Sequence, residues 1–354
     1  MKTRRKKNLK DKPSVFGTGL LALDIVFNTE RINEPKFYAG GTCGNVLSIL
    51  SYMGWQAYPI ARLNGDLASQ HILEDLKRCG VRLEFTSCKP LCDTPVIIQK
   101  IKQSKSGQGQ HRFHFRCPKC GTPYPTYKPV FASTMREIIP KIKMPKVFFF
   151  DRVSRSALVL ARACADKGVL VVFEPCAIGD HSFFKEALNV AHILKYSNHR
   201  IQGIPKIQTK KTNLMLEIET QGFEGLRFRN MLETNCKKEW QHLAAYEVKK
   251  VKDAAGSGDW CTASIISMVG RNGLAGFRKV TNAKLIEALR YGQAAAAWNC
   301  GFEGARGGMQ SRSLRAFEAG VKRIMEGSVP TLRATNSDTK ELKDIFKRLC
   351  PVCG

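Results

Sequence analysis

The chain reads Asp253-Ala254-Ala255-Gly256-Ser257-Gly258-Asp259 and runs straight into the apolar stretch Trp260 to Val269, a pattern that describes a phosphate site. Small residues at the start of a helix leave backbone N–H groups open where the helix dipole favours an anion, and no side chain blocks close approach. Asp259 falls in the first helical turn. Its carboxylate stands beside the anion, placed to take a proton from a hydroxyl that attacks it. A Gly-rich turn before a helix is a weak signal alone. The Asp at each end sharpens it toward phosphoryl transfer, with Gly256, Ser257 and Gly258 as anion hole and Asp259 as base.

Two cysteine pairs suggest a separate chemistry. Cys117-Pro118-Lys119-Cys120-Gly121 and Cys350-Pro351-Val352-Cys353-Gly354 each have the form of a zinc knuckle. Two thiolates separated by two residues can grip one metal, the Gly allows a tight turn, and two knuckles complete a tetrahedral site for structural Zn2+. Four thiolates leave no open position, so the metal would not do chemistry. The pairs lie far apart in sequence, which requires the C-terminal tail to reach back. Two redox pairs, or two unrelated exposed turns, are the alternatives; Pro and Gly in irregular surroundings do not suit the strand-to-helix setting of a redox Cys-x-x-Cys. The total of 13 cysteines is odd and scattered, unlike a small disulfide-stapled domain, and most read as buried thiols.

Further short motifs follow one another along the chain: Gly17-Thr18-Gly19 with Asp24, Gly40-Gly41 with Asn45, Gly65-Asp66, Thr220-x-Gly222-x-x-Gly225, Gln293 followed by four alanines, and Gly304-Ala305. Each has a plain structural reading. Asp24 alone is a surface or capping carboxylate, Gly40-Gly41 a turn, and Asn45 a cap for a helix beginning near Val46. Taken in order from about Val15 to about Ala319, they resemble the PfkB/ribokinase family of sugar and nucleoside kinases. The usual C-terminal signature of that family, Asp-Thr-x-Gly-Ala-Gly-Asp, appears here with Ala254 for Thr and Ser257 for Ala.

The resemblance implies a kinase that uses ATP and Mg2+ to phosphorylate a sugar, sugar acid or nucleoside. Asp24, from the opening strand, would bind substrate hydroxyls, and Gly40, Gly41 and Asn45 would border the sugar. Thr220, Gly222 and Gly225 would lie near the nucleotide phosphates, Gln293 on the adenine-side helix, and Asp253 beside a monovalent cation such as K+. One departure concerns the Asn-x-x-Glu that helps to organise magnesium. Here it reads Asn198-His199-Arg200-Ile201, without the carboxylate. Relatives often dimerise through their lid, so a homodimer is a further expectation.

The elements that must position these residues read as an α/β fold, a doubly wound ribokinase-like sheet flanked by helices. Short apolar strands at Val147 to Phe150 and Val169 to Phe173 alternate with an amphipathic helix at Ser156 to Asp166, as βαβ units require. Between Thr94 and Phe115, alternating Val96, Ile98 and Lys100, a polar loop from Gln103 to Gln110 and the run His111 to Arg116 read as a hairpin. Its position resembles the β lid that closes over substrate and excludes water. The expected organisation is a basic tail at 1–13, a kinase domain at 14–330 with a lid at about 92–116, a zinc-knuckle insertion at 117–127 and a C-terminal tail at 331–354.

A chain of 354 residues with 43% hydrophobic and 25% charged residues can bury a sizeable core. No apolar run is long enough to span a membrane and no apolar signal core opens the chain, so a cytoplasmic enzyme is expected. The 57 Lys and Arg against 30 Asp and Glu leave a net charge of +27. Such a field attracts nucleotides and anionic substrates, and admits a second class of function in which a kinase-like scaffold binds nucleic acid or a partner protein through its basic surface and zinc module. The Lys2 to Lys12 run reads most simply as a solvated tail. The mixed aromatic and basic segment His111 to Arg116 could stack bases, or simply alternate between core and solvent.

Overall fold

The computed structural model describes residues 12–28, 35–89, 93–103, 109–140, 142–202, 204, 212–232, 239–248, 251–328, 349–350 and 352–353. Most of the expected basic tail, the centre of the lid loop and the tail at 329–348 lie outside these residues. In chain order the strands are β1 (Ser14–Thr18), β2 (Ala22–Asn28), β3 (Lys36–Gly40), β4 (Gln56–Pro59), β5 (Ala61–Leu63), β6 (Thr86–Cys88), β7 (Val96–Gln103), β8 (Gly109–His114), β9 (Val147–Phe150), β10 (Leu170–Phe173), β11 (Ile193–Ser197), β12 (Leu216–Thr220), β13 (Leu226–Asn230) and β14 (Gln241–Leu243). The helices are α1 (Thr42–Tyr52), α2 (Leu67–Arg78), α3 (Ala132–Ile138), α4 (Arg155–Asp166), α5 (His181–Val190), α6 (Ser257–Val269), α7 (Gly273–Phe277), α8 (Asn282–Asn299), α9 (Gly307–Ser311) and α10 (Leu314–Met325).

Eight strands form the main sheet in the order β14-β13-β12-β11-β10-β9-β1-β4, parallel from β4 to β12 and antiparallel for the last two pairings. Every residue of β9 and β10 is buried. A parallel strand covered by helices on both faces has no solvent side, which is why these segments read as unbroken apolar runs. Their side chains still alternate. Phe149 and Val172 join a cluster with Trp260, Trp298 and Phe317 from α6, α8 and α10, whereas Phe148, Phe150 and Phe173 join Leu158 and Phe184 from α4 and α5. The latter cluster holds stacked rings, with Phe150 and Phe173 centroids 4.5 Å apart. Helix α4 begins one residue ahead of the expected start, where the Ser154 hydroxyl accepts from Ala157 N at 3.2 Å.

The second sheet runs β3-β2-β7-β8. The expected hairpin is its β7–β8 half, antiparallel with Ile98 opposite His114. The other half is β2–β3, and β2 pairs with β7 in parallel. Asp24 therefore lies on a strand of this lid-like sheet and not on the opening strand β1, which ends at Thr18. Among the described residues no helix is long and apolar enough to cross a membrane.

Candidate active site

The expected site residues gather where the parallel strands end, the edge at which open α/β sheets bind ligands. Gly256 caps α6 in a left-handed conformation, φ 72°. That conformation favours Gly, and so does the space: a Cβ on Gly256 would lie 2.4 Å from the Ala305 carbonyl oxygen. This carbonyl accepts from Trp260 Nε1 at 3.1 Å and from Asn299 Nδ2 at 3.2 Å, and Asn299 also donates to Ala255 O at 3.2 Å. The turn is thus clamped from below by a buried amide. Ser257 N donates to Ala254 O at 3.2 Å, which closes the loop and withdraws that donor from the expected anion hole. Gly258 and Asp259 N–H sit in the first turn, where a helix has no acceptor of its own to offer.

Asp259 is only partly exposed, and Asn45 Nδ2 donates to its Oδ2 at 2.7 Å. Burial, then the nearby Glu174 carboxylate, pushes Asp259 up to about 8, against the pull of Asn45, Lys195 and Arg200. A carboxylate held near neutral pH suits a general base. Asn45 does not cap its helix. Helix α1 starts at Thr42 behind Gly41, whose φ is 78°, and Asn45 falls one turn in, buried, with its side chain turned to α6. Gly41 needs to be Gly because a Cβ would meet the Leu20 carbonyl oxygen at 2.3 Å.

Asp24 is buried against Gly40, where a Cβ would come within 1.9 Å of its carboxylate. Its Oδ1 and the Asn45 Oδ1 are both buried without a hydrogen-bond partner. Two such acceptors leave a demand for donors that a hydroxylated ligand can meet. Burial raises Asp24 to about 7, opposed by Arg306, a buried guanidinium that pairs with Asp75 and donates to Cys79 Sγ at 3.2 Å. Asp75 in turn accepts from Ala39 N at 2.8 Å. Neither Arg306 nor Asp75 was singled out by motif; Arg306 among the glycines of Gly304-Ala305-Arg306-Gly307-Gly308 was an available signal, whereas Asp75, in the charged helical run Glu74 to Arg78, left none.

Asp253 is a junction. Its carboxylate accepts from Ala255 N at 2.9 Å, Gly304 N at 2.9 Å and Gln99 Nε2 at 3.1 Å, joining the α6 approach, the Gly304 loop and lid strand β7. Gly65-Asp66 serves as a helix cap, with Asp66 Oδ1 accepting from Ser69 N at 2.8 Å.

The expected nucleotide residues share one corner. Asn198 N donates to Thr220 O at 3.1 Å, and Thr220 Oγ1 donates to Tyr196 O at 3.2 Å. Gly222 and Gly225 shape the β12–β13 turn at φ 63° and 108°, and a Cβ on Gly225 would strike Leu243 O at 2.2 Å. Gln293 Nε2 donates to the adjoining Ala244 O at 3.3 Å. Asn198 Oδ1 is buried without a partner, which fits an acceptor for a magnesium-bound water. Ile201, where the pattern would carry Glu, is buried in the apolar cluster beneath α4 and α5.

Sequence reasoning missed Glu174 and Lys195, which follow and interrupt apolar strands. Lys195 Nζ donates to Glu174 Oε1 at 2.5 Å, and Thr262 Oγ1 donates to Glu174 Oε2 at 2.6 Å. Both lie beneath Gly258, where a Cβ would stand 3.8 Å from Lys195 Nζ and 3.9 Å from Glu174 Oε1.

Away from this edge, the ligand atoms of Cys117, Cys120, Cys350 and Cys353 all lie within 4.8 Å of one another, and the Cys120 and Cys350 sulfurs are 3.5 Å apart. Four sulfurs at ~2.3 Å from one Zn2+ in a tetrahedron would stand ~3.8 Å apart, so the donor set and its spacing fit. The first knuckle turns at Gly121, φ 74°, with Gly121 N donating to Cys117 O at 2.9 Å. Hydrogen bonding with Thr122 pulls the Cys120 thiol down to about 6, toward the thiolate a metal requires.

No family model matches the chain, and no curated protein matches it. Solved structures do. A fructokinase from Xylella fastidiosa with bound ATP superposes with a TM-score of 0.66 at 12% identity, covering 88% of this chain and 98% of that one. A double-mutant fructokinase from Vibrio cholerae O395, holding fructose, ADP and a potassium ion, gives 0.64 at 15% identity over 88% and 99%. A nucleoside kinase from Burkholderia thailandensis in complex with inosine gives 0.63 at 14% identity over 88% and 97%. With sugar and nucleoside kinases alike superposing over most of its length, the chain has the ribokinase-like fold of the PfkB kinases.

Proposed function

We propose that this protein is an ATP-dependent small-molecule kinase that transfers the γ-phosphoryl group to a hydroxyl of a sugar or sugar-like acceptor. The observation that carries the reading is Asp259 in the first turn of α6, hydrogen-bonded to Asn45 at 2.7 Å and raised to about 8, beside a left-handed Gly256. Asp259 takes the proton of the attacking hydroxyl while Gly258 and Asp259 N–H, with the helix dipole, favour the charge on the transferred group. Asn45 orients the base. The unpartnered oxygens of Asp24 and Asn45 accept from the acceptor's other hydroxyls, which selects a polyol over a simple alcohol.

The corner formed by Asn198, Thr220, Gly222, Gly225 and Gln293 takes the nucleotide. Magnesium would neutralise phosphate charge, with Asn198 Oδ1 holding one of its waters. A potassium ion beside Asp253 would depend on surrounding carbonyls, because that carboxylate already accepts three N–H donors. Within kinases, a nucleoside is the other acceptor class, since the fold serves both. The basic surface alone favours no separate nucleic-acid function.

The test is an ATP-consumption screen over sugars, sugar acids and nucleosides, with Asp259→Asn as control. The expected result is one acceptor class turned over by wild type, and a loss of ~10²-fold to ~10⁴-fold in the variant with ATP binding retained. Undiminished turnover in Asp259→Asn would remove the base assignment.

A further inference from the structure

Two charges of opposite sign are buried directly under the anion-binding turn. Lys195 projects from β11 and Glu174 follows β10, the neighbouring parallel strand; their side chains are 3% and 12% exposed and meet at 2.5 Å. Glu174 is fixed on its other oxygen by Thr262, which sits one helical turn beyond Gly258 and three residues past Asp259. The pair therefore touches α6 itself. A buried ion pair of this kind is weak evidence for stability, since removing two charges from water offsets most of their attraction. Its location asks for another role.

We propose that Glu174 and Lys195 are positioning residues for Asp259, an antagonistic pair whose opposed fields decide when that carboxylate holds its proton. The proposal rests on the kinase reading only for its consequence, the timing of proton removal from the acceptor. Its physical content is separate. Glu174 opposes ionisation of Asp259, and Lys195 favours it. The other groups facing Asp259 are Asn45 from α1, which donates to it, Arg200 beyond β11, and the buried thiol of Cys43 on α1, held neutral by burial. Cys261 on α6 is likewise a neutral thiol, pushed up to about 11 chiefly by burial. The buried Asp151 carboxylate, paired with Arg152, acts on the same Cys43 thiol and on Glu174; of the charges that act on Asp259 itself, Glu174 supplies the negative field and Lys195 the buried positive one.

Opposed fields predict opposed responses. Carboxyl carbon NMR of the full-length protein, with Asp259 identified by the signal missing in Asp259→Asn, follows its titration in wild type, Glu174→Gln, Lys195→Met and the double variant. Glu174→Gln should move the Asp259 midpoint to lower pH and Lys195→Met to higher pH, each by about one pH unit or more, with the double variant between them. A general loosening of the site would not split the two variants in opposite directions. Midpoints that stay put, or move the same way, overturn the proposal. Should Lys195→Met fail to fold, the near-isosteric Glu174→Gln still decides, because a midpoint that rises or does not move is fatal. The titration needs no acceptor. Its failure is therefore distinct from failure of the kinase reading, which would appear as no acceptor turned over in the ATP screen; where one is found, the acid limb of kcat/KM should follow the same two shifts.

Discussion

At the scale of the residue, Asp259 holds a tension between function and stability. Burial and Glu174 lift it from 3.8 to about 8, so between those values the folded chain keeps a proton that the unfolded chain has released. The native state then binds more protons than the unfolded state, and stability from this group falls as pH rises across that window. Asn cannot ionise, and its amide oxygen can still accept from Asn45. Asp259→Asn should accordingly melt above wild type at pH 8, with a smaller gap at pH 5, even as turnover collapses. Thermal melts at the two pH values check this. A variant less stable than wild type at pH 8 would mean that the carboxylate is a structural anchor instead of a strained base. Asp259 and Asn45 were legible because their signals are local: each sits beside glycines and ahead of an apolar helical run. Glu174 and Lys195 were not, because Glu174 lies just past β10 and Lys195 on β11, 21 residues apart, and only the parallel pairing of those strands brings them together. A lone Lys inside Ile193-Leu194-Lys195-Tyr196 was the trace they left.

At the scale of the element, the α6 N-terminus depends on one glycine more than on the other. Gly256 is left-handed and its Cα faces the Ala305 carbonyl, whereas Gly258 is helical and its nearest neighbours leave ordinary contact distances. Gly256→Ala should cost at least ~1 kcal/mol from the left-handed backbone, and more from the carbonyl it would strike. Gly258→Ala should melt close to wild type, since that position has helical backbone and room for a methyl. Denaturant melts of the two variants measure the contrast; equal losses would show that the loop relaxes freely around Ala305. The same distinction explains what the sequence could convey about the fold. Strands β9 and β10, helix α4 and the β7–β8 hairpin follow from local periodicity and turn chemistry. The partnership of β2 with β7 spans about seventy residues, so no local pattern could assign Asp24 to the lid-like sheet. The capping reading of Asn45 failed for a related reason: the close approach of Leu20 to Gly41 starts α1 earlier than its apolar run suggests.

At the scale of the whole molecule, the four cysteines connect the end of the chain to the exit of the lid hairpin. Cys117 lies three residues beyond β8, and it meets Cys350 and Cys353 from the far end of the sequence. Cys117 and Cys350 are buried while Cys120 and Cys353 are more open, so the site has an apolar floor, with Leu349 and Tyr124 in the same core cluster. If one Zn2+ joins the four thiolates, purified protein should contain about one zinc per chain, and neither pair alone should retain it with comparable affinity. Truncation before Cys350 should therefore release as much zinc as Cys117→Ser/Cys120→Ser. The α6 turn, Asp259 and the nucleotide corner are built from other elements, so metal loss should lower the melting temperature while some phosphoryl transfer remains. Elemental analysis of wild type, the truncation and the double-serine variant, alongside turnover of each, tests both halves of the expectation. Equal zinc in wild type and truncation would show that the two knuckles do not share a metal. Zinc loss that abolishes turnover outright would place the clamp in control of lid closure instead of lid stability alone.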